Sequence, residues 1–260
     1  MDRVTVRLAG GIAHVRLNRP DKMNAMDDAM MDAIIAAGSE VAALGARVVV
    51  LSGAGKAFCA GLDVKSFAAM ANRDPQALVM PRTHGPANKY QEVALVWRTL
   101  PVPVIAALHG VVFGAGFQLA LGADIRIAAP ETQLAVMEMK WGLVPDMAGI
   151  VLMPKLTGTD VMARLTYSGA PVSAVQARDW GLVTELADDP LAAAQGLAET
   201  IAQKSPSAIR AAKRLIMGTA GMAEAEVLLA ESREQAALIG KPDQVEVIAA
   251  QMQRRDPVFK

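Results

Sequence analysis

Val102-Pro103-Val104-Ile105-Ala106-Ala107-Leu108-His109-Gly110-Val111-Val112-Phe113-Gly114-Ala115-Gly116-Phe117-Gln118-Leu119-Ala120-Leu121 is the stretch on which the fold turns. Its first part, residues 102–108, is β-branched and aliphatic and reads as a buried strand. Residues 117–121 read as a short helix, so the glycine-flanked turn at 112–118 becomes a helix N-terminus. First-turn N–H groups lack intrahelical partners and carry the positive end of the dipole, so an oxygen gaining negative charge is favoured there. A second turn of the same character, Phe58-Cys59-Ala60-Gly61-Leu62-Asp63, exposes further bare backbone donors. Two such donors can hold an oxyanion, each worth roughly 3–4 kcal/mol in a transition state. Close strand–helix packing accounts for any one glycine-rich turn equally well, so a single turn decides nothing.

Residues 99–123 contain no Asp, Glu, Lys or Arg, and that length could cross a bilayer. Pro101, Pro103, His109, Gln118 and four glycines argue instead for strand, turn and helix. Working outward, residues 4–8 and 12–17 form two strands joined by Gly10-Gly11, a hairpin. Residues 27–44 carry helical spacing with Asn24 or Asp27 as cap, and residues 47–52 return to strand. Strands are also expected at 125–127 and 133–136. Beyond about residue 145 the strand signal fades and helices dominate. Ser173 begins a capping-box spacing, Ser205-Pro206 opens a helix, and Gly240 ends the helix at 223–239 before Pro242 starts another. Residues 67–88, with three X-Pro steps, read as an irregular lid.

A chain of 260 residues buries about three quarters of its unfolded surface as one large domain or a domain with an appendage. Twenty-six basic residues balance twenty-six acidic ones, which argues against nucleic acid as primary partner. The one cysteine, Cys59, cannot form an internal disulfide, and the N-terminus lacks a signal peptide's apolar core; a cytoplasmic location is expected. His14, His84 and His109 are scattered, so no metal site is expected, and no dinucleotide fingerprint occurs. Cys59 reads as a small buried filler.

Arg19-Pro20 with Asn24-Ala25, the 58–63 turn, His109-Gly110 through Gln118, Met137-Glu138 through Pro145, and the closing Arg255-Asp256-Pro257-Val258-Phe259 together resemble the crotonase, or enoyl-CoA hydratase/isomerase, superfamily. The order and spacing carry the resemblance over nearly the whole chain. It implies an α/β fold, a spiral of β-β-α units with two roughly perpendicular sheets. A core at 1–195 would hold the active site, and a helical region at 196–260 would assemble trimers or hexamers.

For chemistry, the resemblance implies a coenzyme A thioester as substrate, no permanently bound cofactor, and an enolate held by the backbone N–H groups of Ala60 and Ala115. The base falls on Glu138, whose apolar surroundings, Trp141 among them, should raise its pKa; pairing with an arginine such as Arg126 is the competing reading. Enoyl-CoA hydratases carry a second glutamate where this chain has Gln118, and an amide cannot exchange a proton. Asp146 matches the catalytic aspartate of dienoyl-CoA isomerases, or else caps the helix that follows. Catalytic candidates are thus Glu138, Asp146 and Gln118, and the expected reaction is an enoyl-CoA or dienoyl-CoA double-bond shift. Hydration and a non-catalytic acyl-CoA binder are the alternatives. A chlorobenzoyl-CoA dehalogenase ranks below them because that enzyme lacks the Glu138 equivalent. Coenzyme A is expected near Ala60, Gly61, Leu62 and Asp63, with its phosphates near Lys22 and, less strongly, Lys65 and Lys260.

Overall fold

The computed structural model describes residues 2–66 and 72–259. Strands β1 (Val4–Ala9) and β2 (Ile12–Leu17) form the expected antiparallel hairpin. β2 then pairs in parallel with β3 (Val48–Gly53), followed across the sheet by β4 (Val104–Leu108), β6 (Ile125–Ala128) and β9 (Glu185–Leu186). A second sheet has three strands in the order β5 (Val111–Phe113), β7 (Gln133–Ala135) and β8 (Val172–Ser173).

β4 is apolar throughout and β3 nearly so because both faces of the main sheet are covered. Along β3, Val49 and Leu51 face one core, with helix Asp28–Ala43 and helix Lys89–Thr99. Val48 and Val50 face the other, against Ala194, Ala198 and Ala202 of helix Pro190–Ala202. Asp27, not Asn24, caps the first helix, accepting from the Met30 N–H at 2.9 Å. Asn24 is buried with φ +56°, and its amide donates to the carbonyls of Ala54, Ala57 and Phe58. It therefore shapes the approach to the 58–63 turn.

Three expectations need correction. The strand–turn–helix reading of 102–121 misses β5, which occupies Val111–Phe113 and runs into the supposed turn, and the helix begins at Ala115. The region after 145 keeps two short strands, β8 and β9, each of two residues, too short for a periodic signal. Within 67–88, residues 67–71 lie outside the described residues, and the remainder includes helix Pro75–Val79 capped by Asp74. The Ser173, Ser205 and Gly240 signals stand where expected. Among the described residues no helix is long and apolar enough to cross a membrane.

The C-terminal helix Pro206–Gly218 is tied to the core by one buried ion pair. The Lys213 ammonium donates to Asp124 at 2.8 Å and to the Val102 carbonyl at 2.8 Å. The same Asp124 oxygen accepts from the Val104 N–H at 2.7 Å, holding the start of β4. Burial lowers the lysine pKa. Lys213→Ala strands the Asp124 charge in the interior, so unfolding in denaturant should show a loss of about 3–5 kcal/mol. A loss below about 1 kcal/mol, the scale of an exposed pair, would contradict this account.

Candidate active site

Two successive units of the chain each lay one strand in the main sheet and then one in the second sheet before a helical turn. β4 leads to β5 and helix Ala115–Leu121, and β6 leads to β7 and the 3₁₀ turn Glu138–Trp141. β3 leads to Cys59, which bridges in parallel to Val112 of β5. Ala60 follows the Cys59 bridge, Ala115 follows β5 and Glu138 follows β7, and because these three pair in parallel side by side, the residues emerge at the same end.

Glycines allow the approach. Gly114 has φ +49° and ψ −117°, open to glycine but to few other residues. A Cβ at Gly116 would sit 2.6 Å from the Cys59 Cβ, so the two turns pack as closely as they do because that atom is absent. A Cβ at Gly61 would lie 3.9 Å from the Ala115 nitrogen, and one at Gly114 would lie 3.4 Å from the Glu138 Oε1. The Ala115 N–H opens its helix and has no intrahelical acceptor.

The Ala60 N–H is not bare, contrary to the sequence reading. It donates to the Met23 carbonyl at 2.9 Å, because Met23 is left-handed at φ +49° and turns that carbonyl toward the 58–63 turn. The Met26 N–H to Gly61 carbonyl bond and the Asp63 N–H to Met26 carbonyl bond, both 2.8 Å, zip the same segments together. Asp63 is engaged by Arg19 at 2.7 Å and by the Lys65 N–H at 3.0 Å, with its carboxyl held below the usual range chiefly by that N–H. Lys22 and Lys65 are exposed beside this zipper, and Lys260 lies outside the described residues. Cys59 is wholly buried, its thiol pushed up to about 12 by burial, which fits the filler reading.

Glu138 places one paired and one unpaired carboxylate oxygen at this site. Its Oε1 accepts from the Gln118 amide at 2.7 Å, while Oε2 is buried without a hydrogen-bond partner among the described residues. Burial first, and then the charge of Asp146, raise its pKa above the ordinary glutamate value against the pull of nearby N–H donors. Arg126 is not its partner: that guanidinium is buried and donates to the carbonyls of Leu182 and Ala123 at 2.7 and 2.6 Å. Trp141 does not enclose the carboxylate either; it is 47% exposed, with Lys140 over its ring.

Asp146 is no helix cap. The cap of helix Gly149–Leu152 is Ala148, at φ +70° with no side-chain bond. The Asp146 residue keeps contact with solvent, yet the surrounding protein desolvates its carboxyl enough to raise the pKa. Gln118, 1% exposed, links Glu138 to the backbone just after Asp146, since its Oε1 accepts from the Met147 and Gly149 N–H groups at 2.8 and 2.9 Å. Sequence reasoning had no signal for this bridge, because the partners lie about thirty positions apart. A surface groove lined by Arg7, His14, Arg47 and Glu199 contains none of these residues. No cluster of potential metal ligands occurs among the described residues.

The sequence profile described as enoyl-CoA hydratase/isomerase matches residues 7–260. The 1,2-epoxyphenylacetyl-CoA isomerase of Escherichia coli K12 is 31% identical over 263 residues, covering 100% of this chain and 98% of its own. The mitochondrial Δ(3,5)-Δ(2,4)-dienoyl-CoA isomerase of Mus musculus is also 31% identical, over 94% of this chain and 77% of its own. The crystal structure of enoyl-CoA hydratase from Bacillus anthracis superposes with a TM-score of 0.88 at 29% identity, covering 99% of each chain. Two sheets joined in this spiral, the paired turns at their shared edge and a profile spanning almost every residue leave one assignment: the chain belongs to the enoyl-CoA hydratase/isomerase (crotonase) family.

Proposed function

We propose that this family member is an enoyl-CoA or dienoyl-CoA double-bond isomerase. The observation that carries the reading is the Gln118–Glu138 pair, an amide against a carboxylate at 2.7 Å where hydration calls for two carboxylates. Glu138 Oε2 takes a proton from the carbon beside the thioester carbonyl. The electron pair moves onto the carbonyl oxygen, which accepts from the Ala115 N–H; the Ala60 N–H, engaged by Met23, joins only by exchanging that bond for one to the substrate. Collapse of the dienolate shifts the double bond, and the proton returns from Glu138 at the distal allylic carbon; where a longer conjugated system separates the two carbons, protonated Asp146 delivers that proton and the two acids reset by exchange with water. Every proton taken is given back, so no co-reactant is needed. Coenzyme A lies along the zipped 19–26 and 60–63 segments, with its phosphates toward Lys22 and Lys65. The exposed Ile216, Leu228, Leu229, Ile239 and Met252 favour burial of the C-terminal helices against further copies, in trimers or hexamers.

Purified protein incubated with a 3-enoyl-CoA should yield the 2-enoyl isomer at least about a hundredfold faster than it hydrates 2-enoyl-CoA, the scale of one missing acid–base partner. Efficient hydration without double-bond migration rejects the proposal. Tight acyl-CoA binding with neither reaction, and no deuterium exchange beside the carbonyl, identifies a binding protein instead.

A further inference from the structure

We propose that Gln118 is a positioning residue: anchored by the Met147 and Gly149 N–H groups, its amide clamps one oxygen of Glu138, leaves the other to act as base, and fixes that base relative to the Asp146 turn. The inference rests on the reading of Glu138 as the base.

A carboxamide has one acceptor end and one donor end. Two backbone N–H groups at 2.8 and 2.9 Å occupy the oxygen, so the nitrogen must face Glu138, and the 2.7 Å contact is an N–H donating to a carboxylate. The amide's orientation is therefore dictated by its partners and cannot flip without losing all three bonds. Gly149 completes the anchor, since a Cβ there would stand 2.8 Å from the Gln118 Oε1. Because Met147 and Gly149 belong to the turn that carries Asp146, the same side chain sets the spacing of the two acids. Asp146 is the charged group whose field reaches Glu138, and that field also reaches Tyr90, on helix Lys89–Thr99.

Glutamate at this position would make a different device. One of its oxygens would still accept from the two N–H groups, and the other would oppose Glu138 Oε1 at hydrogen-bond distance. Two carboxylates so placed share one proton. Both N–H groups stabilise charge on residue 118, so the shared proton resides on Glu138 and the base is neutralised. Gln118→Glu thus keeps the anchor and reverses the electrostatics, whereas a merely structural role is indifferent to that reversal.

The test follows deuterium exchange beside the carbonyl of a bound enoyl-CoA against pH. Wild-type protein without exchange rejects Glu138 as base, whatever residue 118 does. With exchange present, Gln118→Glu is expected to move the acid limb of the profile up by at least about one unit, a loss of about tenfold or more on that limb, and to recover as pH rises, with KM changed little. A profile that superimposes on wild type, or falls by one factor at every pH, overturns the proposal. A second readout uses the unaltered fold. In the wild-type protein the Gln118 side-chain amide resonances should move as Glu138 titrates and lose that movement in Glu138→Gln; resonances indifferent to Glu138 overturn it as well.

Discussion

Replacing Glu138 by glutamine is expected to lower turnover by about 10³-fold, within the range general acid–base catalysis supplies, while the KM for acyl-CoA changes little. The amide keeps the size of the carboxylate and can still accept from Gln118, so the pocket persists and only the proton acceptor is lost. Burial and Asp146 raise the Glu138 pKa above 4.5, so in wild type the reaction should quicken with rising pH as that group ionises. Stability runs the opposite way. A carboxyl whose folded pKa is raised binds its proton more tightly in the native state, so its contribution is full below 4.5 and is lost as pH rises through the folded value. Glu138→Gln removes that loss and relieves the mutual repulsion with Asp146, so both effects favour the variant at high pH. The variant should therefore match wild type in denaturant near about pH 4 and exceed it near about pH 8. A variant that turns over normally, or that weakens as pH rises, contradicts the placement of an ionisable base in this buried position.

How far the sequence carried these arguments depended on the range of the interactions. The hairpin, helix Asp28–Ala43 and strands β3, β4, β6 and β7 were legible because each is long enough, or bounded clearly enough by glycine and cap residues, to print its own period. β5 was not, because Val111-Val112-Phe113 runs straight into the glycine-flanked turn and its strand character comes from pairing with β7 and Cys59. Missing it hid the reason the site converges: Ala60, Ala115 and Glu138 occupy equivalent places in successive turns of the spiral. The choice of Glu138 as the candidate base followed from its resemblance to a family motif. Its state did not, since the Gln118 bridge to Met147 and Gly149 joins segments that only the tertiary fold brings together. The Ala60–Met23 bond was equally invisible, because it depends on a left-handed backbone at a methionine, which side-chain chemistry does not announce.

That bond makes the two proposed oxyanion donors unequal, and Ala115→Pro tests the stronger. Turning the Ala60 N–H onto a substrate oxygen exchanges one hydrogen bond for another, so its contribution is the difference between the enolate and the Met23 carbonyl as acceptors. The Ala115 N–H gives up no helical bond, and it stands at a position where proline is tolerated because the missing N–H has no intrahelical role. Proline there should lower kcat by about 10²–10³-fold, the cost of one oxyanion donor. Far-ultraviolet circular dichroism and acyl-CoA affinity should stay close to wild type, since neither depends on charge developing at the carbonyl oxygen. Ala115→Gly, which keeps the N–H and removes only a buried methyl, should lose far less. The contrast between these two substitutions isolates backbone from side chain. Equal losses in both would assign the role of residue 115 to packing and leave the enolate without its principal donor.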